Sequence, residues 1–99
     1  MPVANAHFHP EAQAEYEEAI AWYQVRSPRA SLRFEAEVER VIRVIEGNPE
    51  IFPKYDDLHR YALLRRFPFS IVYQHWDDHV YVIAVAHGSR LPGYWESRR

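Results

Sequence analysis

In the first half of the chain, apolar residues recur every three or four positions, as they do on the buried face of a helix. The first series comprises Ala12, Tyr16, Ala19, Ile20 and Tyr23, and the second comprises Phe34, Val38, Val41, Ile42 and Ile45. The pattern predicts two helices, over residues 10–26 and 28–47. Because almost no chain separates them, we expect an antiparallel hairpin with one apolar face.

The residues at the ends of both series support these boundaries. Pro10 suits the first turn of a helix, where its missing N–H has no bond to make. Ser27 followed by Pro28 is typical of an N-cap and a first helical position, so this pair ends one helix and begins the next. Gly47 can adopt the left-handed conformation that often ends a helix.

The second half of the chain carries short apolar runs that predict strands over residues 60–67, 69–76 and 79–87. Pro68 separates the first two strands, at a point where its missing N–H needs no ladder partner. Asp77-Asp78 predicts a tight turn between the last two. Such short links favour an antiparallel meander, since parallel strands need long crossovers.

A further short strand is predicted over residues 3–8, and residues 48–59 form a connector with two prolines. The resulting order, β-α-α-β-β-β, predicts an α+β fold for a single domain of residues 1–99. In this fold the antiparallel helical hairpin packs on one face of an antiparallel β-sheet. We expect the other face to stay open and to serve as a binding surface.

Composition narrows the class of protein. The 99 residues are 47% hydrophobic and include no cysteine, which excludes disulfides, thiolate metal sites and a cysteine nucleophile. The first residues lack the features of a signal peptide, and the longest apolar run, residues 80–86, is far shorter than the ~20 residues of a membrane helix. We therefore expect a cytoplasmic protein with no membrane partner. The net charge of −2 argues against a generally basic nucleic-acid binder.

Polar side chains follow the last predicted strand and suggest chemistry there. Cleavage of RNA by its 2′-hydroxyl needs a base, cations for the phosphate and an acid. His87 suits the base, because histidine titrates near working pH. Arg65 or Arg90 suits a bidentate phosphate clamp, and Tyr94, or Trp95 beside it, can stack on a base. In the alternative, His87 caps the strand, Arg90 pairs with an acid and the aromatic rings seal the edge of the core.

Three arginines and one tryptophan are candidate contacts for a partner. Strand alternation places Arg60 and Arg66 on one face of the sheet and Arg65 on the other. They either contact a target or an acidic segment of a partner protein, or form a solvated sheet edge. Trp22 is adjacent to Tyr23 of the core series, so we expect it to be half exposed and available to a partner, or else packed against the connector.

Other polar groups show no catalytic or ligating pattern. The six histidines lack the spacing of a known zinc motif, so we predict no metal site and no cofactor. Four acidic residues recur at helical spacing and are interpreted as a solvated helix face: Glu15, Glu18, Glu35 and Glu39.

Several of these features together resemble the RelE/ParE superfamily, the toxins of type II toxin–antitoxin systems. They are the helical hairpin ending in Asn48-Pro49, Arg60, the run FPFSIVY at residues 67–73, and the run VIAVAH at residues 82–87 followed by Arg90, Pro92, Tyr94 and Trp95. The resemblance covers nearly the whole chain in the same order. It implies a small bacterial toxin whose cognate antitoxin is encoded by an adjacent gene.

The resemblance leaves two targets. ParE-like members bind DNA gyrase, whereas RelE-like members are ribosome-dependent, metal-independent mRNA endonucleases rich in basic residues. Lys54 is the sole lysine here, and Gly88 stands where the nucleases often have a base. Since bases are sparse, we favour gyrase binding and keep the ribosome and mRNA as the alternative. A nuclease would use His87, Tyr94 and Arg65 as catalytic residues. The predicted contacts of a binding toxin, with its target or antitoxin, are Arg60, Arg66, Arg90, Trp95 and Trp22.

Overall fold

The computed structural model describes residues 5–99. Its elements are β1 (Asn5–Phe8), α1 (Pro10–Arg26), α2 (Pro28–Gly47), β2 (Arg60–Leu63), β3 (Phe69–Trp76) and β4 (His79–His87). This order confirms the predicted α+β arrangement. The predicted first strand also included residues 3 and 4, which lie outside the described residues.

Local capping explains where the helices begin and end. The His9 Nδ1 accepts a hydrogen bond from the Glu11 N–H at 3.0 Å, ahead of Pro10 in the first turn of α1. Ser27 serves both helices: its N–H donates to the Tyr23 carbonyl of α1, and its Oγ accepts from the Ala30 N–H of α2 at 3.2 Å. The predicted hairpin is thus confirmed, with a one-residue link. Neither helix of residues 5–99 is long and apolar enough to span a membrane.

The sheet is mixed rather than wholly antiparallel. Its strand order is β1-β4-β3-β2; β2, β3 and β4 form the predicted antiparallel meander, but β1 pairs with β4 in parallel. The prediction of a fully antiparallel sheet is wrong for this one strand. The chain between β1 and β4 passes through both helices and two strands, which is ample length for a parallel return.

A β-bulge in β4 changes which side chains face the helices. Val72 pairs with Ala84 and Tyr73 pairs with Val82, so Ile83 is an extra residue. Before the bulge Val82 points to the helical core, and after it Val85 does. The bulge therefore directs the later residues of β4, including His87, whose ring contacts Phe69 edge-on at 5.0 Å.

The main core lies between the helices and the sheet. The apolar series of α2 supplies Phe34, Val38, Val41 and Ile45, all buried, as the periodicity predicted. Around Phe34 the rings of Tyr23, Phe67 and Phe69 pack at centroid distances of 5.2–5.4 Å. This aromatic cluster fixes the bend before β3 against the helical hairpin.

The second face of the sheet is not open, contrary to the prediction. After β4 the chain folds back across this face, and Trp95, only 3% exposed, packs with Val72, Ile83 and Ala84. Tyr55 packs edge-on against the Trp95 ring, with the ring centroids 5.0 Å apart. The sheet is thus a central layer with apolar packing on both sides, because a large aromatic residue follows β4 closely enough to reach back.

The bend between β2 and β3 is longer than predicted. β2 ends at Leu63, and Arg66 has φ 66°, a left-handed conformation that does not occur within a regular strand. Arg65 and Arg66 therefore lie in this bend, and the assignment of these two to opposite sheet faces is wrong. Pro68 lies outside both strands, as predicted, and the Phe69 N–H bonds to the Phe67 carbonyl at 2.8 Å.

Candidate functional site

Two hollows lie on opposite sides of the end of β4. The first, here called the apolar groove, encloses about 330 Å³ between α1 and the sheet. It is lined by Glu15, Glu18, Ala19, Trp22, Tyr23, Pro68, Phe69, Val85, His87, Arg90 and Tyr94. Seven of these eleven residues are aliphatic, aromatic or proline, and the other four are Glu15, Glu18, His87 and Arg90.

The second hollow, here called the polar cleft, encloses about 470 Å³ on the other face of the sheet. Its lining includes Lys54, Tyr61, Ser70 and the turn after β4. The side chains of His87, Arg90 and Tyr94 line both hollows and form a ridge between them. The structure therefore brings together the three residues that the sequence had grouped.

Backbone hydrogen bonds hold the turn that carries this ridge. The Gly88 N–H donates to the Pro68 carbonyl at 2.7 Å, and the Arg90 N–H donates to the His87 carbonyl at 3.0 Å. The guanidinium of Arg90 lies 3.8 Å from the centre of the Tyr94 ring, a cation–π contact. Within residues 5–99 Arg90 makes no ion pair, so it remains an exposed cation.

A network centred on Glu15 anchors residues 91–98. Arg98 donates two hydrogen bonds to the Glu15 carboxylate, at 2.7 and 2.9 Å, and Tyr94 Oη donates another at 2.6 Å. The same carboxylate accepts from the Val85 N–H at 3.0 Å, while Arg98 also donates to the Ile83 carbonyl. The side chains of Glu15 and Arg98 thus form hydrogen bonds with backbone groups at the edge of β4, beyond the point where β1 stops pairing with it.

The network sets the protonation of its members. Burial raises the pKa of Glu15, but the hydrogen bonds from Arg98, Tyr94 and Val85 outweigh it and hold that pKa below its ordinary value. Burial, together with the hydrogen bond to the Glu15 carboxylate, raises the pKa of Tyr94 well above that of a free phenol. Tyr94 is accordingly a neutral hydrogen-bond donor whose proton is committed to Glu15.

The hydrogen bonds of His87 define the tautomer of its ring. Nδ1 accepts from the Ser89 N–H at 3.0 Å and lies 2.8 Å from Ser89 Oγ. A neutral imidazole that accepts at Nδ1 carries its proton on Nε2. His87 therefore presents an N–H donor to solvent instead of a free lone pair.

The other predicted arginines lie outside both hollows. Arg60 donates to the Phe52 carbonyl at 2.7 Å and to the Glu50 carbonyl at 3.3 Å, so it fastens the connector. The Arg65 backbone N–H bonds to Glu37 at 2.6 Å, and the side chains of Arg65 and Arg66 are exposed. Arg65 is thus not among the residues that line the ridge, although the nuclease hypothesis grouped it with His87 and Tyr94.

The two predicted tryptophans have different environments. Trp22 is 53% exposed at the wall of the apolar groove, with the Arg26 guanidinium 3.7 Å from its ring centre. Trp95 lines the polar cleft but is buried, so it supports this surface from beneath and offers little area to a partner.

Sequence reasoning missed the residues at the centre of the network. Glu15 was interpreted as part of a solvated helix face, yet its side chain is only 14% exposed and pairs with Arg98. Glu18 has the same spacing and neighbourhood in the sequence, and it stays exposed. Glu15 and Arg98 are 83 positions apart in the sequence, so no local signal identifies the pair.

Comparison with family models identifies one family for this chain. The family model described as "ParE toxin of type II toxin-antitoxin system, parDE" matches residues 6–92. Among solved structures, the chain is similar to one titled "Chromosomal ParDE TA system from P. aeruginosa", with a TM-score of 0.74 and 14% identity. That likeness covers 88% of this chain and 98% of the other, and at such low identity it concerns the fold alone. No curated protein matches the chain significantly.

Proposed function

The chain belongs to the ParE toxin family of type II toxin–antitoxin systems, and from that premise we propose that it arrests growth in the cytoplasm by binding DNA gyrase. Membership implies a cognate antitoxin that neutralises it. The observation that carries the proposal is the hydrogen bonding of the ridge residues His87, Arg90 and Tyr94. Their side chains offer contact area and charge, while the proton of Tyr94 and the Nδ1 lone pair of His87 are already engaged in hydrogen bonds.

The commitment of these groups argues against a nuclease step. A general acid must release its proton to the leaving oxygen, whereas Tyr94 donates its proton to Glu15 at 2.6 Å. A general base needs a free lone pair, whereas Nδ1 of His87 accepts from Ser89. Of the two candidate phosphate clamps, Arg65 lines neither hollow, whereas Arg90 lines both. Binding to a target does not require His87 or Tyr94 to transfer a proton.

The surface around the ridge has the composition of a binding surface. Exposed tryptophan and arginine dominate the binding energy of many interfaces, and here Arg90 and Trp22 border the same groove. Arg65 and Arg66 are exposed on the nearby bend and extend the positive charge of this end of the molecule. We assign Arg90, Trp22 and Arg66 to recognition of the target or the antitoxin, and Arg60 and Trp95 to support of the fold.

We assign the apolar groove to the antitoxin. An amphipathic segment would place its apolar residues against Phe69 and Val85, two apolar residues that line the groove. Acidic residues of that segment would meet Arg90 and Arg26, neither of which forms an ion pair within the described chain. A net acidic, amphipathic segment is therefore the partner chemistry that fits.

Growth arrest in cells, combined with two assays in vitro, tests the target. We expect Arg90→Glu and Trp22→Ala to abolish both toxicity and gyrase-mediated DNA breaks, and His87→Gln to leave both nearly unchanged. Arg29→Glu is the matched control, since Arg29 is an exposed arginine on α2 outside both hollows. Purified toxin that cuts ribosome-bound mRNA, with loss of cutting in His87→Gln, would overturn the proposal.

Co-expression tests the antitoxin. The product of the adjacent open reading frame should co-purify with the toxin and relieve growth arrest. Trp22→Ala should weaken the complex while Arg29→Glu leaves it intact. If no neighbouring product binds or protects, the antitoxin assignment fails independently of the gyrase result.

A further inference from the structure

Two histidines that are far apart in sequence meet at the edge of the sheet. His7 on β1 and His79 on β4 lie on adjacent parallel strands, and His7 Nε2 is 3.3 Å from His79 Nδ1. Both rings are exposed, with centroids 5.3 Å apart. Neither residue lines the groove or the cleft, so the proposed toxin function does not account for the pair.

The separation of these nitrogens matches that of two ligands on one metal ion. Imidazole nitrogens bind zinc at about 2.0–2.1 Å, which places two of them about 3.3–3.4 Å apart in a tetrahedral site. In the structure these two nitrogens share a hydrogen bond, so when His79 Nδ1 accepts, the proton lies on His7 Nε2 and must move to His7 Nδ1 before an ion binds. Because both rings are exposed, this exchange of tautomer and rotation about the side-chain bonds can turn the two lone pairs toward a common ion. The backbone pairing of β1 with β4 already provides the spacing.

A neighbouring carboxylate completes the arrangement. Asp78 Oδ1 lies 3.3 Å from His79 Nε2, the nitrogen that faces away from His7. This contact has ion-pair distance, not hydrogen-bond geometry, and both side chains are exposed. The negative charge of Asp78 favours a proton on Nε2, which leaves Nδ1 as the nitrogen of His79 that can bind a metal ion.

We propose that His7 and His79 bind a divalent transition-metal ion of the class that prefers imidazole: Zn²⁺, Ni²⁺ or Cu²⁺. Among residues 5–99 no group of three or more ligating side chains occurs, so water fills the remaining positions. The site is consequently open and of moderate affinity. The sequence contains no motif for it, because 72 residues separate the two ligands and only the parallel pairing of β1 brings them together.

The test uses the full chain without an affinity tag. Isothermal titration with ZnCl₂ or NiCl₂ should give one ion per chain, and His7→Asn or His79→Asn should weaken binding by at least ~10-fold. His75→Asn is the matched control. His75 is an exposed histidine near the end of β3, and it pairs with Val80, so it lies on the sheet face opposite to that of His79. Equal affinity in the wild type and both ligand variants would overturn the site.

Fluorescence locates the ion. Trp76 is 54% exposed and pairs with His79 across β3 and β4, so Cu²⁺ at the site should quench its emission. The quenching should disappear in Trp76→Phe, while calorimetric binding persists in that variant. Quenching that survives in Trp76→Phe would place the ion near another tryptophan and overturn the assignment. Because toxicity is not a readout here, failure of the metal site leaves the gyrase proposal untouched.

Discussion

At the residue scale, Glu15 shows how one carboxylate can organise a surface. It accepts from a side chain of residues 91–98, from the backbone of β4 and from the phenol of the ridge. Periodicity places Glu15 on a helix face correctly, but it cannot say which face meets a distant arginine. Its partner Arg98, 83 positions away in the sequence, can be identified only once the fold brings the two residues together.

Replacing Glu15 tests this organisation. Glu15→Gln removes a charge that Arg98 needs, and hydrogen bonds to charged groups contribute about 1.5–3 kcal/mol each. We expect the free energy of unfolding at pH 7 to fall by about 2–3 kcal/mol, measured by urea denaturation. Glu18→Gln, one turn further along the same helix and exposed, should change it by less than ~0.5 kcal/mol.

The same residue predicts a pH dependence. Because the folded pKa of Glu15 lies below its ordinary value of 4.5, its stabilisation is fully present above about pH 4.5 and is lost as pH falls through the folded pKa. Thermal unfolding between pH 3 and 6 should therefore show a shallower loss of stability in Glu15→Gln than in the wild type. Parallel pH profiles for the two proteins would contradict the network.

Truncation of the two tryptophans of the site should lower stability by different amounts. Trp95 is 3% exposed, so Trp95→Ala should cost about 3–5 kcal/mol of stability. Trp22 is half exposed, and Trp22→Ala should cost about 1 kcal/mol or less while weakening antitoxin binding. Denaturation and a binding assay on both variants decide the matter, and equal destabilisation would show that Trp22 is a core residue.

At the element scale, the helices and strands were predicted best where residues at the element itself encode its boundary. The boundary between the two helices was predicted correctly because a single residue, Ser27, encodes it, whereas the N-cap of α1, His9, was not identified. β2 was predicted too long because the left-handed turn at Arg66 has no glycine to mark it. The bulge at Ile83 was missed, since an all-apolar strand shows no alternation from which a shift could be detected.

The shared cap offers a direct test of the hairpin. Ser27 Oγ caps the N-terminus of α2 at 3.2 Å, and loss of an N-cap side chain typically costs about 0.5–2 kcal/mol. Ser27→Ala should lower the unfolding free energy by about 1 kcal/mol, whereas Ser27→Asp, which retains an acceptor, should restore it. Equal stability of the two variants would mean that packing alone positions α2.

At the scale of the whole molecule, the sheet has two packed faces with different origins. The helical hairpin covers one face, as the α2 periodicity predicted. Residues 91–98 cover the other through Trp95, which the sequence suggested either as a contact for a partner or as a ring that seals the edge of the core. The family and the element order were evident from the sequence, but the closed face, the parallel β1 and the His7–His79 pair all depend on long-range placement.

Removing the C-terminal residues that cover the second face of the sheet should therefore unfold the domain. A chain ending at Arg90 lacks Trp95, which exposes Val72 and Ile83, and it leaves Glu15 without Arg98 in a largely buried position. Loss of a buried tryptophan costs about 3–5 kcal/mol and an unpaired buried charge costs a similar amount. Together these costs approach the ~5–15 kcal/mol that holds a typical domain folded.

We expect this shortened chain to lose cooperative unfolding by circular dichroism, while a chain ending at Arg98 behaves as the full protein does. A chain of residues 1–90 that unfolds cooperatively within ~1 kcal/mol of the full one would show that the helical core is self-sufficient. In that case the Glu15 network would have to be explained by the function of the ridge, because stability would not require it.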